Sequence, residues 1–319
     1  MRKLFNRRHV IGAIAAAGLA IGTPASAAEF VNIVTGGTSG VYYPLGVALS
    51  KLYGAALPDA KISVQSTKAS VENLNLLEAG RAEVAFSLGD AVADAWNGEK
   101  EAGFPNKLEK LRAIGGLYNN YVQIIATEAS GIKTLADLKG KRISVGAPRS
   151  GTELNARAVL KAAGLTYEDF SKVEYLPFGE SVDLMKNRQL DVTLQSAGLG
   201  VSSIRDLATS VPIVVVPVPA DVVEKIGNPA YQAANIPAST YDGQSADVPA
   251  VAITNILVTR EGVAEETVYL LTKAMFDHLD QLSMAHSAAK AINAKQAIKG
   301  LPIPLHPGAA RYYKEAGIE

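Results

Sequence analysis

Thr35-Gly36-Gly37-Thr38-Ser39-Gly40-Val41-Tyr42-Tyr43-Pro44-Leu45-Gly46 follows a short apolar run, Phe30-Val31-Asn32-Ile33-Val34. It leads into Leu45, Val47, Ala48, Leu49, Leu52 and Tyr53, which share one face of a helix. The segment therefore reads as a strand, a Gly/Ser/Thr turn and a helix. Such a turn gathers free backbone N–H groups and the positive end of a helix dipole at one point, which suits an anion. Its glycines admit a ligand close to the backbone, Thr38 and Ser39 add hydroxyls, and Pro44 suits a first helical turn. The same residues also fit an ordinary capped turn, and the stretch alone does not choose. It lacks the Lys-Ser/Thr ending of a nucleotide P-loop and the glycine spacing of a dinucleotide fingerprint, so a carboxylate or another small anion is the better expectation.

Upstream, Arg2, Lys3, Arg7 and Arg8 precede the small, apolar run Val10 to Gly22, and Ala25-Ser26-Ala27 fits a signal-peptidase site with cleavage before Ala28. The apolar run is short for a membrane span. Arg7-Arg8 leaves open whether export follows the general secretory or the twin-arginine route. The expected location is a bacterial periplasm. The chain has no Cys, which removes thiolate metal sites and disulfides. It carries 31 basic and 31 acidic residues, and residues 1–27 hold four of the basic ones, so the remainder balances at 27 against 31, or −4. That charge argues against a nucleic-acid partner. The 292 residues left suffice for one large domain or two lobes.

Beyond the opening stretch, strand-like and helix-like segments alternate. Strands are expected at Ile62–Gln65, Glu83–Ser87, Arg112–Gly116, Tyr121–Ala126, Arg142–Gly146, Val173–Pro177, Asp191–Leu194 and Ile213–Val216. Helices are expected near Ser70, over Ala91–Trp96 and from Gly151 onward. Alternation of this kind predicts an α/β fold with a mainly parallel sheet and helices on both faces. Arg142 to Glu153 repeats the opening plan of strand, Gly/Ser/Thr turn and helix. Ser150 with Glu153 fits a capping box, as does Thr134 with Asp137. Thr152 stands near the second helical position, and Arg149 just before the helix could grip a carboxylate with its planar fork. Two helix N-termini could thus face each other across a cleft.

Four stretches together resemble one family: Thr35 to Gly46, Ser150-Gly151-Thr152, Thr134 to Arg142, and the ending Ile303-Pro-Leu-His-Pro-Gly-Ala-Ala-Arg-Tyr-Tyr-Lys-Glu-Ala-Gly317. They are similar to the TAXI proteins, extracytoplasmic solute receptors of tripartite ATP-independent periplasmic (TRAP) transporters. The resemblance implies a type 2 periplasmic-binding-protein fold, two α/β lobes joined by a strand hinge. It implies capture of glutamate, glutamine or a related C4–C5 dicarboxylate in the cleft, and delivery to the membrane permease subunits of an ion-gradient-driven TRAP transporter. Lobe one would comprise residues 29–126 and 254–319, and lobe two residues 127–253. Tyr121–Thr127 and Val251–Val258 fit paired hinge strands. The chain departs from the family at Arg149, where a small residue is common. It departs again at Asp191 to Gly200, where Gln195 and Ser196 make the cleft wall more polar.

The expected ligand-binding residues are Gly37, Thr38, Ser39, Tyr42, Ser87, Asp90 and Tyr118 from lobe one. From lobe two they are Arg149, Ser150, Gly151, Thr152 and Gln195. Asp90 would suit an amino group on the ligand and repel a plain dicarboxylate. No cofactor, metal or catalytic residue is expected, and the protein reads as a monomer and not an enzyme. An exported hydrolase is disfavoured by the lack of a Gly-x-Ser-x-Gly elbow, and four His without zinc spacing argue against a metalloenzyme. A ligand-sensing module for a membrane kinase would share fold and ligand.

Overall fold

The computed structural model describes residues 29–318, so the signal-peptide reading lies outside the described residues. Ten strands form one sheet: β1 (Phe30–Val34), β2 (Lys61–Gln65), β3 (Val84–Leu88), β4 (Leu111–Thr127), β5 (Arg142–Ser144), β6 (Lys172–Glu174), β7 (Val192–Ala197), β8 (Ile213–Val216), β9 (Gln232–Ile236) and β10 (Val248–Arg260). The spatial order is β2-β1-β3-β10-β4-β7-β5-β6, with β8 pairing β4 and β9 pairing β10. The helices that matter below are α1 (Tyr42–Ala56), α2 (Ser70–Glu78), α3 (Gly89–Asn97), α4 (Gly151–Ala162), α5 (Phe178–Lys186), α6 (Ser202–Ser210), α7 (Ala220–Ile226) and α8 (Glu265–Asp277). This is an α/β fold of two lobes. β1, β2 and β3 run parallel at one end of the sheet, and β5, β6 and β7 run parallel at the other.

The expectation of a mainly parallel sheet holds within each lobe and fails between them. The central strands β4 and β10 are antiparallel to each other and to their neighbours β3 and β7. The two strands expected at Arg112–Gly116 and Tyr121–Ala126 are a single strand of 17 residues. Gly115 and Gly116, at the end of the first expected strand, stay paired to β10, opposite Leu257 and Ile256. The strand crosses between the lobes where Asn120–Val122 lie opposite Val251–Ile253. Register shifts in β10 between Thr254 and Ile256, and between Leu257 and Val258, mark bulges beside that crossing.

Helices cover both faces of the sheet, which is why inner strands such as β3 and β7 are buried throughout. One buried layer joins Val34, Leu74, Val92, Ala113, Ile124, Val159 and Val222. The other joins Ile33, Leu45, Leu49, Ile114, Ile125, Met185, Ile204 and Leu271. Ile33 and Val34 are adjacent and enter opposite layers, as do Ile124 and Ile125, because successive strand side chains point to opposite faces. In α1 the buried residues are Tyr42, Leu45, Gly46, Leu49, Leu52 and Tyr53, so Leu45, Leu49, Leu52 and Tyr53 of the expected face pack while Val47 and Ala48 are half-buried.

The Thr134–Asp137 capping box forms, on a four-residue 3-10 helix. At α4 only half of the expected box forms. Ser150 Oγ accepts from the Glu153 N–H at 3.1 Å, whereas the Glu153 carboxylate turns to Arg157 at 2.6 Å and the Tyr167 hydroxyl at 3.0 Å. A guanidinium one helical turn away outcompetes the backbone amide for that carboxylate.

Candidate ligand cleft

A cavity of about 390 Å³ lies between the lobes. The opening residues of four helices line it: Val41 and Tyr42 of α1, Ala69 and Ser70 of α2, Ser150, Gly151 and Thr152 of α4, and Pro177, Phe178 and Gly179 of α5. First-turn amides have no acceptor inside their own helix, so each start presents donors and a partial positive charge. In the turn before α1, Gly36, Gly37, Thr38 and Ser39 also donate their amides to no acceptor among the described residues, while Gly40 N–H closes back on the Gly37 carbonyl at 3.0 Å. Two of these four helices belong to each lobe, and in each lobe they follow parallel strands. The carboxyl ends of parallel strands are where such folds place ligands.

Hydroxyls supplement the amides. Thr38, Ser39, Ser66, Thr67, Ser70, Ser150, Thr152 and Ser196 all line the cavity. Ser196 is 5% exposed, and its hydroxyl has no protein partner. The charged residues of the lining are Lys68 and Glu180, both exposed. Among the described residues, no group of three or more His, Asp or Glu side chains is placed to hold a metal.

A buried polar chain braces the cavity. The Tyr42 hydroxyl donates to Asn255 Oδ1 on β10. Asn255 Nδ2 donates to Asn120 Oδ1 on β4 at 2.8 Å, and Asn120 Nδ2 donates to the Ser196 carbonyl on β7 at 2.9 Å. Tyr42 also stacks on Phe86, with ring centroids 5.1 Å apart. Burial pushes the Tyr42 phenol far above its ordinary range, so it stays a neutral donor.

The lobes touch around the cavity. Gly151 at the start of α4 sits so close to lobe one that an added Cβ would stand 2.6 Å from Leu88 Cδ1 and 2.6 Å from Ser70 Oγ. Ser202 Oγ donates to the Ser39 carbonyl at 2.9 Å, and Glu72 N–H to the Arg149 carbonyl at 3.4 Å. This is a closed arrangement of the two lobes.

Of the twelve residues expected to bind ligand, seven line this cavity: Gly37, Thr38, Ser39, Tyr42, Ser150, Gly151 and Thr152. Five lie outside the lining. Ser87 and Gln195 are each one strand position away from a residue that does line it, Leu88 and Ser196, and strand alternation turns their side chains to the other face. Gln195 accepts instead from Ser203 Oγ at 2.6 Å. Tyr118 is 2% exposed and borders a second cavity beside Leu199 and Ala288. Arg149 is exposed, with φ of 63°. That left-handed conformation is unusual for a residue with a side chain. Asp90 is buried and bonded to Asn155 and Tyr231.

The sequence reading missed the second half of each lobe's contribution. In lobe one this is Ser66 to Ser70, a polar run between strand and helix that carries its own signal in hindsight. In lobe two it is the start of α5, where Pro177 before a helix was the available clue.

The fold is that of periplasmic binding proteins. In fold the chain is similar to PhnD1 from Prochlorococcus marinus (MIT 9301), solved in complex with methylphosphonate. The identity is 10%, the TM-score 0.59, and the match covers 91% of this chain and 99% of that one. It is also similar to the periplasmic binding protein BugD, at 12% identity and a TM-score of 0.57, over 91% of this chain and 98% of that one. A protein of Bordetella bronchiseptica RB50 matches at 18% identity and a TM-score of 0.54, over 91% of this chain and 89% of its own. The chain belongs to the NMT1-like family, whose model matches residues 33–317. Among the described residues, no helix is long and apolar enough to cross a membrane.

Proposed function

We propose that the protein is a periplasmic receptor that captures a small carboxylate in the interlobe cleft and hands it to the permease of a TRAP-type transporter. The observation that carries the reading is the convergence of four helix starts and eight hydroxyl side chains on one cavity. Desolvating a carboxylate is costly unless oriented donors replace its water; the helix-start amides and the hydroxyls other than Ser66 and Thr67, which donate to the Gly36 carbonyl and to Asn73, are such donors. Because two helix starts come from each lobe, an anionic group at each end of a C4–C5 ligand would find its own set. The four sequence stretches shared with TAXI receptors support the transporter assignment and the solute class. On this reading residues 29–126 and 254–319 form lobe one, residues 127–253 form lobe two, and binding closes them about the crossing of β4 and β10. The seven expected residues in the lining are joined as ligand contacts by Ser70, Lys68 and Ser196.

The reading also favours a ligand without an ammonium group. Asp90, the acid that would pair with one, spends its carboxyl on Asn155 and Tyr231, and the acid left in the lining, Glu180, is exposed and accompanied by Lys68. Oxo acids and plain dicarboxylates therefore rank above amino acids. A thermal-shift screen of C4–C6 dicarboxylates, oxo acids and amino acids, with methylphosphonate and an alkanesulfonate alongside, tests this. A ligand at one hundred times its dissociation constant stabilises by roughly 2.7 kcal/mol. Stabilisation by 2-oxoglutarate or glutarate above glutamate supports the reading. Stabilisation by the phosphonate or sulfonate alone refutes the carboxylate, and stabilisation by amino acids alone refutes the choice within it.

A further inference from the structure

Asp90 is the second residue of α3 in lobe one and is 2% exposed. Its hydrogen-bonding side-chain partners both come from lobe two. Asn155 of α4 donates Nδ2 to Asp90 Oδ2 at 2.7 Å, and the Tyr231 hydroxyl donates to the same oxygen at 2.6 Å. Asn155 Nδ2 also donates to the Tyr231 oxygen at 2.9 Å, closing a three-membered ring of bonds. That ring uses every side-chain proton the three residues own. Asp90 Oδ1 and Asn155 Oδ1 lie buried outside this ring of bonds. Every bond in the ring that joins the two lobes exists only while they are together.

The charges around it do not supply a counter-ion. Facing the carboxyl are Tyr231 from lobe two, Tyr42 from α1 and Asp94 one turn further along α3, groups that are neutral or negative in every protonation state. On α4 the Arg157 guanidinium is taken by Glu153 at 2.6 Å and by the Glu101 carbonyl at 2.8 Å. Burial pushes the Asp90 carboxyl up and outweighs the hydrogen bonds that favour its charged form, from Tyr231 first and then from the Ala91 amide, Asn155 and its own amide. Asp94 is pushed up to about 6, by burial first and then by Asp90 and Glu99.

We propose that Asp90 is a proton-binding site assembled by lobe closure: closure seals the carboxyl between Asn155 and Tyr231 away from water and favours its protonated form, and opening favours return of the proton to solvent. No bond other than O–H changes, and water supplies and receives the proton. In the open protein the carboxyl faces water, and the burial that raises it is relieved. The sign follows directly. A group whose affinity for protons rises on closure favours the closed state at low pH, and this advantage is lost as pH rises through the closed-state value. Capture of ligand would then take up a proton, and release of ligand would be easier at higher pH. The inference rests on the closed geometry and does not depend on which anion binds.

The test needs no ligand. Ser39 Cβ stands 3.9 Å from the position a Cβ at Gly179 would take, across the mouth of the cavity. That spacing suits a disulfide, and the chain has no other Cys. A chain starting at Ala28 and carrying Ser39→Cys with Gly179→Cys, oxidised, is locked closed. Gly151→Leu, directed at Leu88 and Ser70, wedges the lobes open, and Gly40→Leu against Phe178 is a second wedge should the first fail to fold. With ¹³C-labelled Asp, carboxyl NMR reads each titration, and Asp90→Asn in the locked chain assigns the signal. The expected midpoint is higher in the locked protein than in the wedged protein. A locked midpoint at or below the ordinary range, equal midpoints in the two states, or failure of the cysteine pair to oxidise would each overturn the proposal. The ligand screen is a separate experiment, so a failure here and a failure of the carboxylate reading are distinguishable.

Discussion

Replacing Gly151 with Ala should weaken ligand binding while leaving the fold nearly untouched. The added Cβ would stand 2.6 Å from Leu88 Cδ1, where carbon atoms prefer about 3.5–4.0 Å. Leu88 is 2% and Ser70 1% exposed, and Ser70 Oγ is held by the Leu88 amide at 3.1 Å, so neither can step aside freely. The lobes must then separate by about 1 Å. At that separation the Tyr231–Asp90, Asn155–Asp90 and Ser202–Ser39 bonds, now 2.6, 2.7 and 2.9 Å, pass beyond about 3.5 Å and weaken steeply. Each is worth about 0.5–1.5 kcal/mol net, and water restores part of the loss, leaving about 2–3 kcal/mol. The dissociation constant should rise by about 30- to 150-fold. Isothermal titration with the tightest ligand of the screen measures it, and the melting temperature without ligand should barely move, because Gly151 has an ordinary helical φ at the first position of α4. Gly54→Ala, with nothing within 4 Å of its added Cβ, serves as the control. Affinity of Gly151→Ala within about threefold of the parent would refute the claim that closure at this contact underlies binding, since threefold is under 1 kcal/mol.

Ser150→Ala removes the cap on the Glu153 amide and should cost about 1 kcal/mol of stability, seen as a drop of about 2–4 °C in melting temperature. Arg149→Gly should hold or raise the melting temperature, because φ of 63° suits glycine; a clear loss of stability would contradict the exposed placement of that side chain. Asp191 is held below the usual carboxylate range by the Arg142 side chain, which meets it at 3.0 and 2.6 Å. A depressed carboxyl adds stability above its unfolded value near 3.9 and loses it as pH falls through the folded value. Asp191→Asn should therefore lower stability near neutrality, modestly because Arg142 is 38% exposed, and should flatten the decline below about pH 4; an unchanged acid limb in melting experiments would count against the pair. Mass spectrometry of the exported protein should find Ala28 at its start, and retention of residues 1–27 would end the signal-peptide reading.

Much of the fold was legible because periodicity and turn chemistry are local. Val31, Ile33 and Val34 before a Gly/Ser/Thr turn, and Leu45, Leu49, Leu52 and Tyr53 after it, specify β1 and α1 through spacing alone. Ser150 announced its helix start because a cap bonds three residues away. Seven of the cavity's residues followed from the same two turns, since a strand-to-helix joint aims its amides the same way wherever it lies. The tertiary structure decided what no local rule reaches. That Leu111–Thr127 is one strand depends on pairing with β10, which lies more than a hundred residues away in sequence. Whether Ser87 or Leu88, and Gln195 or Ser196, faces the cavity turns on a strand alternation that the sequence states only up to a choice of face. Asp90 shows the limit most plainly. As a sequence it is an acid at a helix start, available to a ligand, and only the approach of Asn155 and Tyr231 from the other lobe takes its carboxyl away, because a buried polar group bonds the nearest donors in space and not in sequence.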